Sequence, residues 1–379
     1  MLERQLDGGF VPGVLAVLAR RGDVHVEATG ALAFEGAGST VPMAGDTIVR
    51  MTSMTKPIVA ACAMTLVEDC TLRLDDPVDE FLPELADMRV LADPGGPLED
   101  TVPAARAVTL RDLLTFTFGS GVVPAEPGTV PIADALELED APLDEWVGRL
   151  GALPLVHQPG ERWLYQTGSV VTGALIARAT GRSFGQALQE RLFEPLGMKD
   201  TAFSVSADRL DRMATAYERD SAPTGEAVVA DHPDGRWSVP PTLEDGGGGL
   251  VSTADDYLAF ASMLLAGGTY RGERVLSRPS VTLMTSDHLT PAQRAVSGFR
   301  PGYFDTTSWG FGVGVVTDRT HLGPSAGSYG WNGFFGTSWY NDPAEDLTAI
   351  LILQRAHAGD PQLPLQKDFW TSVYQAIDD

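Results

Sequence analysis

Strand-forming segments lie at both ends of this chain of 379 residues, and helix-forming segments fill the long middle part. Residues 14–18 and 24–28 are largely apolar, and Arg20-Arg21-Gly22-Asp23 between them is typical of a hairpin turn. In the last third, strands are predicted at residues 310–316, 336–340 and 347–353. The simplest architecture pairs the terminal strands in one antiparallel sheet and inserts a helical region. The sequence therefore predicts an α/β (α+β) fold.

Helices are predicted in the middle of the chain and at its C-terminal end. The first starts close to Ser53, because Pro57 is tolerated only within a first helical turn. Thr109 and Thr253 are candidate N-caps of two later helices, and Gly119-Ser120-Gly121 is expected to end the helix after Thr109. Residues 109–114 open one predicted helix, and the others cover residues 53–69, 146–150, 170–179, 184–192, 255–265 and 366–377. The last of them carries an apolar stripe of Phe369, Trp370, Val373, Tyr374 and Ile377.

The charge of the chain excludes several classes of partner. Lys and Arg total 27 against 51 Asp and Glu, so the net charge is −24, and nucleic acid and anionic membranes would be repelled. No apolar run reaches membrane-spanning length, and residues 1–9 do not resemble a secretory signal. Cys62 and Cys70 lie about 12 Å apart along one predicted helix, too far for a disulfide. We therefore expect a cytoplasmic protein with free thiols, and the sequence does not reveal its oligomeric state.

A serine and a lysine at helical spacing are the strongest indication of chemistry. The chain has only three lysines, and Lys56 follows Ser53 by three residues, so both side chains share one helical face. A serine is a weak nucleophile until an adjacent base takes its proton, and a desolvated lysine can be that base. The spacing alone is also compatible with a helix-capping serine and a solvated lysine.

Two later motifs give this pair its context. They are Tyr165-Gln166-Thr167, within residues 159–169, and Trp331-Asn332-Gly333, within residues 327–337. With Ser53-Met54-Thr55-Lys56, they resemble the three motifs of the serine β-lactamase and penicillin-binding protein superfamily. The similarity is greatest to its esterase branch, the family VIII carboxylesterases. Residues 72–78, 109–115, 197–198 and 248–255 also look like family positions, in the family's order.

The resemblance implies one catalytic domain over residues 1–379. Residues 1–75 and 305–379 would form its sheet part, and residues 76–304 would form a mainly helical part with long loops. In such a domain, Ser53 would attack an ester carbonyl and form an acyl-enzyme. No cofactor and no metal are implied.

The resemblance also implies roles for the remaining site residues. Lys56 would take or share the proton of Ser53, and Tyr165 would act as base or relay. Either Lys56 is neutral, which requires lowering its pKa from about 10.4 to near 7, or it stays charged and stabilises a Tyr165 phenolate. The backbone N–H groups of Ser53 and Phe334 would form the oxyanion hole. The implied substrate-binding residues are Thr167, Trp331, Asn332 and Gly333.

Two departures from the family pattern bear on the substrate. Trp331 stands where β-lactamases have the lysine of the third motif, and Thr167 stands where they have an asparagine. A neutral tryptophan suits an uncharged ester, so we expect a carboxylesterase for short to medium acyl chains. Amide hydrolysis, D-aminopeptidase, weak β-lactamase and acyltransferase activities stay open within this fold. A non-catalytic binding protein is the alternative of another class.

Other segments offer rival or additional sites. Ser325 lies in a Gly-x-Ser-x-Gly motif, but a nucleophile elbow needs a following helix, and a glycine-rich, strand-forming segment follows here. The run Gly246-Gly247-Gly248-Gly249 is expected to be a flexible turn, because it lacks the Lys-Ser/Thr of a phosphate loop. Loops at 221–249 and 286–307 are expected to border the pocket with Trp237, Val239, Phe299, Tyr303 and Phe304.

Overall fold

A seven-stranded antiparallel sheet forms the centre of the computed structural model, which describes residues 6, 9–219, 227–298, 302–356 and 363–378. Its strands are β1 (Gly13–Arg20), β2 (Asp23–Gly30), β11 (Thr307–Trp309), β12 (Gly314–Val316), β13 (Tyr329–Asn332), β14 (Ser338–Asp342) and β15 (Leu347–Ile352). Their spatial order is β11-β12-β13-β14-β15-β1-β2. The N-terminal β1 pairs with the C-terminal β15, from Leu15 opposite Ile352 to Arg20 opposite Leu347. The predicted sheet built from both chain ends is therefore confirmed.

The strand boundaries in the last third differ from the prediction. Strand β11 was not predicted, and residues 310–312 form a turn rather than the start of a strand. The turn is required because Gly312 has φ of +68° and lies against the helix that begins at Thr55. A Cβ there would be 2.8 Å from the Lys56 carbonyl oxygen. A glycine in an apolar run can mark a place where two backbone segments lie close together. Here the run was interpreted as a strand, and the close contact was not predicted.

Four two-stranded sheets join the segments that connect the main elements. They are β3 (Val49–Arg50) with β8 (Val251–Ser252), β4 (Arg89–Leu91) with β5 (Thr101–Pro103), β6 (Ala216–Arg219) with β7 (Ala227–Asp231), and β9 (Thr269–Tyr270) with β10 (Glu273–Arg274). Strand β7 corrects the prediction that residues 221–249 form one long loop. Residues 220–226 lie outside the described residues.

The described residues contain eleven α-helices, and seven of them match predicted helices in place, with shifted ends. The eleven are α1 (Thr55–Glu68), α2 (Leu110–Leu114), α3 (Pro131–Ala135), α4 (Leu143–Gly151), α5 (Thr167–Thr180), α6 (Phe184–Leu188), α7 (Glu194–Leu196), α8 (Ala254–Leu265), α9 (Arg278–Met284), α10 (Pro291–Ala295) and α11 (Pro364–Gln375). The third, seventh, ninth and tenth were not predicted, and the tenth interrupts the loop predicted at residues 286–307. Thr109 and Thr253 cap α2 and α8 as predicted. Helix α2 ends at Leu114, earlier than the predicted stop, because Phe116 already has a positive φ of 59°.

The two faces of the main sheet pack against different helices. Leu15, Val17, Ile350 and Ile352 face the large core that contains α1 and α8. The alternate residues Val14, Ala16, Ala349 and Leu351 face α11 through Phe369, Trp370, Val373 and Tyr374. This alternation follows from the two-residue period of a strand. The sheet therefore lies between the C-terminal helix and the helix that carries Lys56.

The subdomain boundaries at residues 75 and 305 stay predictions, as do the cytoplasmic location and the lack of nucleic-acid or membrane partners. Among the described residues, no helix has both the length and the apolar character needed to cross a membrane. Within the same residues, Cys62 and Cys70 are both free thiols.

Candidate active site

Ser53 lies in a single 3₁₀ turn, Thr52–Met54, between strand β3 and helix α1. Pro57 is the third residue of α1, where its missing N–H leaves no hydrogen bond unmade. Thr52 has φ of +46°, which is uncommon for a β-branched residue and bends the chain sharply before Ser53. The nucleophile candidate is thus held at the N-terminal end of a buried helix.

A buried ion pair anchors the strand that leads into this turn. Arg50 is fully buried and bonds the Asp231 carboxylate, the Ala214 carbonyl at 2.6 Å and the His232 carbonyl at 2.8 Å. Because an unpaired buried charge is costly, this geometry is strongly specified. It fixes β3 and the end of β7 relative to each other, next to Ser53.

Lys56 projects its amine onto Ser53 from the first turn of α1. Nζ donates to Ser53 Oγ at 2.9 Å and to the Gly247 carbonyl oxygen at 2.5 Å, and it lies 4.4 Å from the centre of the Tyr165 ring. The side chain is fully buried. Burial lowers the pKa of Lys56 to about 7, against the attraction of Asp245, which raises it. A substantial fraction of neutral amine is therefore present near pH 7.

Tyr165 completes a hydrogen-bonded group with Ser53 and Lys56. Its hydroxyl is hydrogen-bonded to Ser53 and accepts from Trp331 Nε1 at 2.8 Å. Burial raises the pKa of Tyr165 above its usual value, with the two hydrogen bonds opposing. The phenol form is therefore favoured. The structure thus brings together the three residues predicted to be catalytic.

Aromatic packing fixes the position of the Tyr165 ring. Phe116, Trp309 and Trp331 surround it, with ring centres 5.7–6.4 Å away. The following residue, Gln166, has φ of +84°, a strained value for a residue with a side chain. That turn lets the chain enter α5 directly after Tyr165. Such a local outlier beside a reactive group is common at functional sites.

The turn between β13 and β14 lies against the 3₁₀ turn that contains Ser53, here called the nucleophile turn. The backbone N–H of Phe334 donates to Thr52 Oγ1 at 2.6 Å. At Gly333 a Cβ would be 2.0 Å from Thr337 Oγ1 and 2.4 Å from the Met51 carbonyl oxygen, so only glycine fits. The backbone N–H of Phe334, the predicted oxyanion donor, therefore lies next to Thr52, the residue before Ser53.

The other predicted substrate-binding residues are placed differently from one another. Trp331 contacts Tyr165, but Asn332 points to the other face of β13, where Oδ1 accepts from Ser338 Oγ at 2.5 Å. Thr167 begins α5, and its backbone N–H bonds the Tyr165 carbonyl. The structure therefore does not bring the Asn332 carboxamide to the reactive group.

A cavity of about 270 Å³ opens onto Ser53. Its lining is mostly apolar and glycine, with a few polar side chains: Thr52, Ser53, Gln166, Phe203, Arg236, Trp237, Pro241, Leu243, Asp245, Gly247, Gly248, Gly249, Phe334 and Phe335. Of the predicted wall residues, Trp237 lines this cavity. Tyr303 and Phe304 line a separate cavity, Val239 is 58% exposed, and Phe299 lies outside the described residues. The sequence reasoning missed Gln166, Phe203 and Asp245.

Rival sites lack the required surroundings. Ser325 lies between β12 and β13, its N–H bonds Asp342, and a strand rather than a helix follows it, so it is not a nucleophile elbow. Burial raises the pKa of Cys62 to about 12, which keeps the thiol protonated and unreactive. The described ranges contain no group of three or more His, Cys, Asp or Glu side chains that could hold a metal ion.

Comparison with known proteins agrees with this geometry. A model of the β-lactamase family matches residues 1–367. The chain belongs to the β-lactamase family. An uncharacterized protein of Mycobacterium tuberculosis is 37% identical to this β-lactamase-family chain, covering 98% of this chain and 96% of its own.

Two further relatives carry names that describe an activity. Esterase EstB of Burkholderia gladioli is 33% identical over 92% of this chain and 87% of its own length. The solved structure of EstCE1, titled a hydrolase with promiscuous acyltransferase activity, has a TM-score of 0.81 at 25% identity. It covers 98% of this chain and 96% of its own. The names of these two relatives describe ester hydrolysis and acyl transfer.

Proposed function

We propose that this protein is a serine carboxylesterase that cleaves neutral esters through an acyl-enzyme on Ser53. The observation that carries the proposal is the 2.9 Å hydrogen bond between Lys56 Nζ and Ser53 Oγ, with the amine buried and its pKa about 7. Tyr165 bonds the same serine. A nucleophile in contact with a base of suitable pKa is the arrangement that acyl transfer requires.

In the first half-reaction, neutral Lys56 accepts the proton of Ser53 as Oγ attacks the ester carbonyl carbon. The carbonyl oxygen becomes an oxyanion, which accepts hydrogen bonds from the backbone N–H of Ser53 and, in place of Thr52 Oγ1, from that of Phe334. Such donors contribute roughly 3–4 kcal/mol of transition-state stabilisation. When the tetrahedral intermediate collapses, the carbon–oxygen bond to the alcohol breaks. The proton passes from Lys56, through the Tyr165 hydroxyl, to the leaving alkoxide.

In the second half-reaction, water replaces the alcohol and the same groups act in reverse. Lys56 and Tyr165 take a proton from the water as it attacks the acyl carbon, and the proton then returns to Ser53 Oγ. The raised pKa of Tyr165 supports a relay by the phenol, because a phenolate would be unfavourable in this buried position. Of the two schemes consistent with the sequence, the geometry supports Lys56 as the base.

The surroundings of the reactive group support uncharged substrates. Trp331 occupies the position of the third-motif lysine, so it offers no positive charge to a substrate carboxylate. Its indole N–H donates to the Tyr165 hydroxyl. Phe203, Leu243, Phe334 and Phe335 give the cavity apolar walls. A volume of about 270 Å³ suits short to medium acyl chains. Transfer to an alcohol acceptor instead of water is a second activity, supported by the description of EstCE1.

Active-site labelling tests the proposal. We expect a fluorophosphonate probe to label Ser53, and Ser53→Ala to abolish hydrolysis of p-nitrophenyl acetate and butyrate. Ser325→Ala is the matched control and should retain full activity. Labelling at Ser325 would overturn the mechanism, and absence of both labelling and turnover would support a non-catalytic binding protein.

A substrate panel ranks the activities of this fold. We expect p-nitrophenyl esters to be turned over much faster than nitrocefin, a p-nitroanilide amide or a D-alanine p-nitroanilide. Added butanol or a primary amine reports acyl transfer, through formation of the new ester or amide. Rapid nitrocefin turnover would contradict the argument from the missing third-motif lysine.

A further inference from the structure

The four-glycine run after Asp245 forms a turn, as predicted, and this turn reaches the reactive site. We propose that Asp245 is a positioning residue for Lys56: its carboxylate holds the Gly247 carbonyl on the lysine amine, and its charge favours the protonated amine. The proposal rests on the role of Lys56 as base in the proposed function. It assigns a purpose to a carboxylate in the cavity wall that the mechanism does not otherwise use.

The turn at residues 245–249, here called the glycine turn, is organised by its first residue. A side-chain oxygen of Asp245 accepts the N–H of Gly247 at 2.6 Å, two residues on, which is the geometry of an Asx turn. The Asp245 carbonyl accepts the N–H groups of Gly248 at 3.3 Å and Gly249 at 2.8 Å. These bonds leave the Gly247 carbonyl directed at Lys56 Nζ, 2.5 Å away.

Two of the glycines are required because this turn is packed closely on backbone atoms. A Cβ at Gly246 would be 2.4 Å from the Ser169 carbonyl oxygen, and one at Gly249 would be 2.9 Å from the Asp245 carbonyl oxygen. Real Cβ atoms do not approach other atoms so closely, so larger residues would push the turn away. The run therefore permits its backbone to reach the buried amine of Lys56.

Among the charged groups around Asp245, Lys56 is the cation that interacts with it most strongly. Asp245 lines the cavity with Ser53, and the charged groups that act on it are Lys56, Arg236 and Asp140. Arg236 is bonded to Asp140 at 2.9 Å, and both side chains are more than half exposed, so solvent screens them. Lys56 is the buried cation in this set, and its attraction to Asp245 is screened least.

The electrostatic effect of Asp245 opposes that of burial on the lysine. Burial lowers the pKa of Lys56, and Asp245 raises it. Burial also raises the pKa of Asp245, while the Gly247 N–H and the nearby Lys56 lower it. A base whose pKa falls far below the working pH is neutral but takes a proton poorly. Asp245 thus keeps Lys56 basic enough to receive the proton of Ser53.

Two variants separate the charge of Asp245 from its hydrogen bond. Asp245→Asn removes the charge but keeps an oxygen that can accept the Gly247 N–H, whereas Asp245→Ala removes both. We expect Asp245→Asn to move the acid limb of the kcat/KM profile to lower pH by about one unit, the order that a nearby opposite charge produces. Asp245→Ala should show the same shift and also lose about tenfold in kcat, because the Gly247 carbonyl is no longer held.

The scarcity of lysine allows a direct measurement that does not depend on turnover. In protein labelled with [6-¹³C]lysine, NMR shows only Lys56, Lys199 and Lys367, and the Lys56→Met variant identifies the signal of Lys56. The titration midpoint of Lys56 should fall by about one unit in Asp245→Asn. Asp140→Asn, which removes an exposed carboxylate from the same region, is the control and should leave the midpoint unchanged.

The outcomes distinguish this inference from the proposed function. If the wild-type enzyme hydrolyses esters but Asp245→Asn leaves both the acid limb and the Lys56 midpoint in place, the inference is overturned and the esterase stands. If the midpoint moves but no ester is hydrolysed, the coupling of Asp245 to Lys56 is supported and the esterase proposal fails. An unchanged kcat in Asp245→Ala would contradict the role of Asp245 in holding the Gly247 carbonyl, and would leave only its electrostatic effect on Lys56.

Discussion

Lys56 places its amine 2.9 Å from Ser53 Oγ and 2.5 Å from the Gly247 carbonyl oxygen, while its side chain is fully buried. The protonated form must be stabilised by a carbonyl, an aromatic ring and the nearby Asp245, instead of by water. Lowering the pKa from 10.5 to about 7 corresponds to a folding cost on the order of 4–5 kcal/mol at low pH. The reactive residue is therefore also a source of instability.

We predict that Lys56→Met abolishes ester hydrolysis and stabilises the protein below pH 7 by about 1–3 kcal/mol. The folded-state pKa of Lys56 lies below its unfolded value, so the unfolded chain binds more protons between about pH 7 and 10.5. The wild-type protein therefore gains stability as pH rises through this window, and the advantage of the variant shrinks. Urea unfolding at pH 6 and pH 9.5 checks this. An advantage that is equal at both pH values would contradict it.

Trp331 is predicted to act through the Tyr165 hydroxyl. Trp331→Phe keeps an aromatic ring but removes the N–H that donates to Tyr165 at 2.8 Å. One such hydrogen bond contributes about 1 kcal/mol, so kcat should fall by about fivefold with little change in KM. Steady-state kinetics with p-nitrophenyl butyrate measures both constants.

The control for this prediction is a second buried tryptophan. Trp339 lies on β14, the strand next to that of Trp331, and donates its N–H to Asn341 of the same strand at 2.9 Å. Trp339→Phe should therefore reduce the free energy of unfolding and leave kcat close to that of the wild-type protein. Equal losses of kcat in the two variants would show that Trp331 acts through general stability.

At the scale of elements, four separate segments converge on Ser53. They are the 3₁₀ turn before α1, the segment before α5, the glycine turn and the turn between β13 and β14. Each segment contains a residue whose backbone conformation or surroundings few residue types can adopt. Thr52 and Gln166 have positive φ values, and Gly333 and Gly246 have no space for a Cβ. The site is therefore sensitive to substitutions that change backbone separation.

Gly333→Ala tests this sensitivity. The added Cβ would collide with Thr337 Oγ1 and the Met51 carbonyl oxygen, so the β13–β14 turn should move away from the nucleophile turn. We expect kcat/KM to fall by about 100-fold, the loss that follows from removing one oxyanion donor, and stability to fall by about 1–3 kcal/mol. Thermal unfolding and ester kinetics measure the two effects.

Gly148→Ala is the matched control for that substitution. Gly148 lies within α4, and a Cβ there would meet no atom within 4 Å. Alanine has the higher helix propensity, so stability should be unchanged or rise by up to about 1 kcal/mol, with full activity. Full activity in Gly333→Ala would show that the oxyanion donor does not depend on this close approach.

At the scale of the whole molecule, the net charge of −24 acts on any charged substrate. We predict that an anionic ester, such as p-nitrophenyl hydrogen succinate, reacts more slowly at low salt than p-nitrophenyl butyrate. Raising the ionic strength from about 20 to 300 mM should increase its kcat/KM several-fold, because the longer-range repulsion is then screened. The neutral butyrate ester should change little. A rate for the anionic ester that does not depend on salt would contradict the prediction.

Much of the architecture could be predicted from short segments of the chain. The hairpin of β1 and β2, the buried helix after Ser53 and the apolar stripe of the closing helix depend on local patterns, and all three are present. Strand β11 was missed because its three residues are too few to show a period. Strand β7 was missed because its segment is rich in turn-forming residues.

The sequence by itself determined the family, the sheet built from both chain ends and the proximity of Ser53 to Lys56, because the last follows from one helical turn. Only the tertiary structure decided that Lys56 is desolvated, that Gly247 and Asp245 act on it from 189 or more residues away in sequence, and that Asn332 points elsewhere. Helical and strand periods are set by the backbone over a few residues. Burial and electrostatic coupling depend on which distant segments pack together, and no local pattern encodes that.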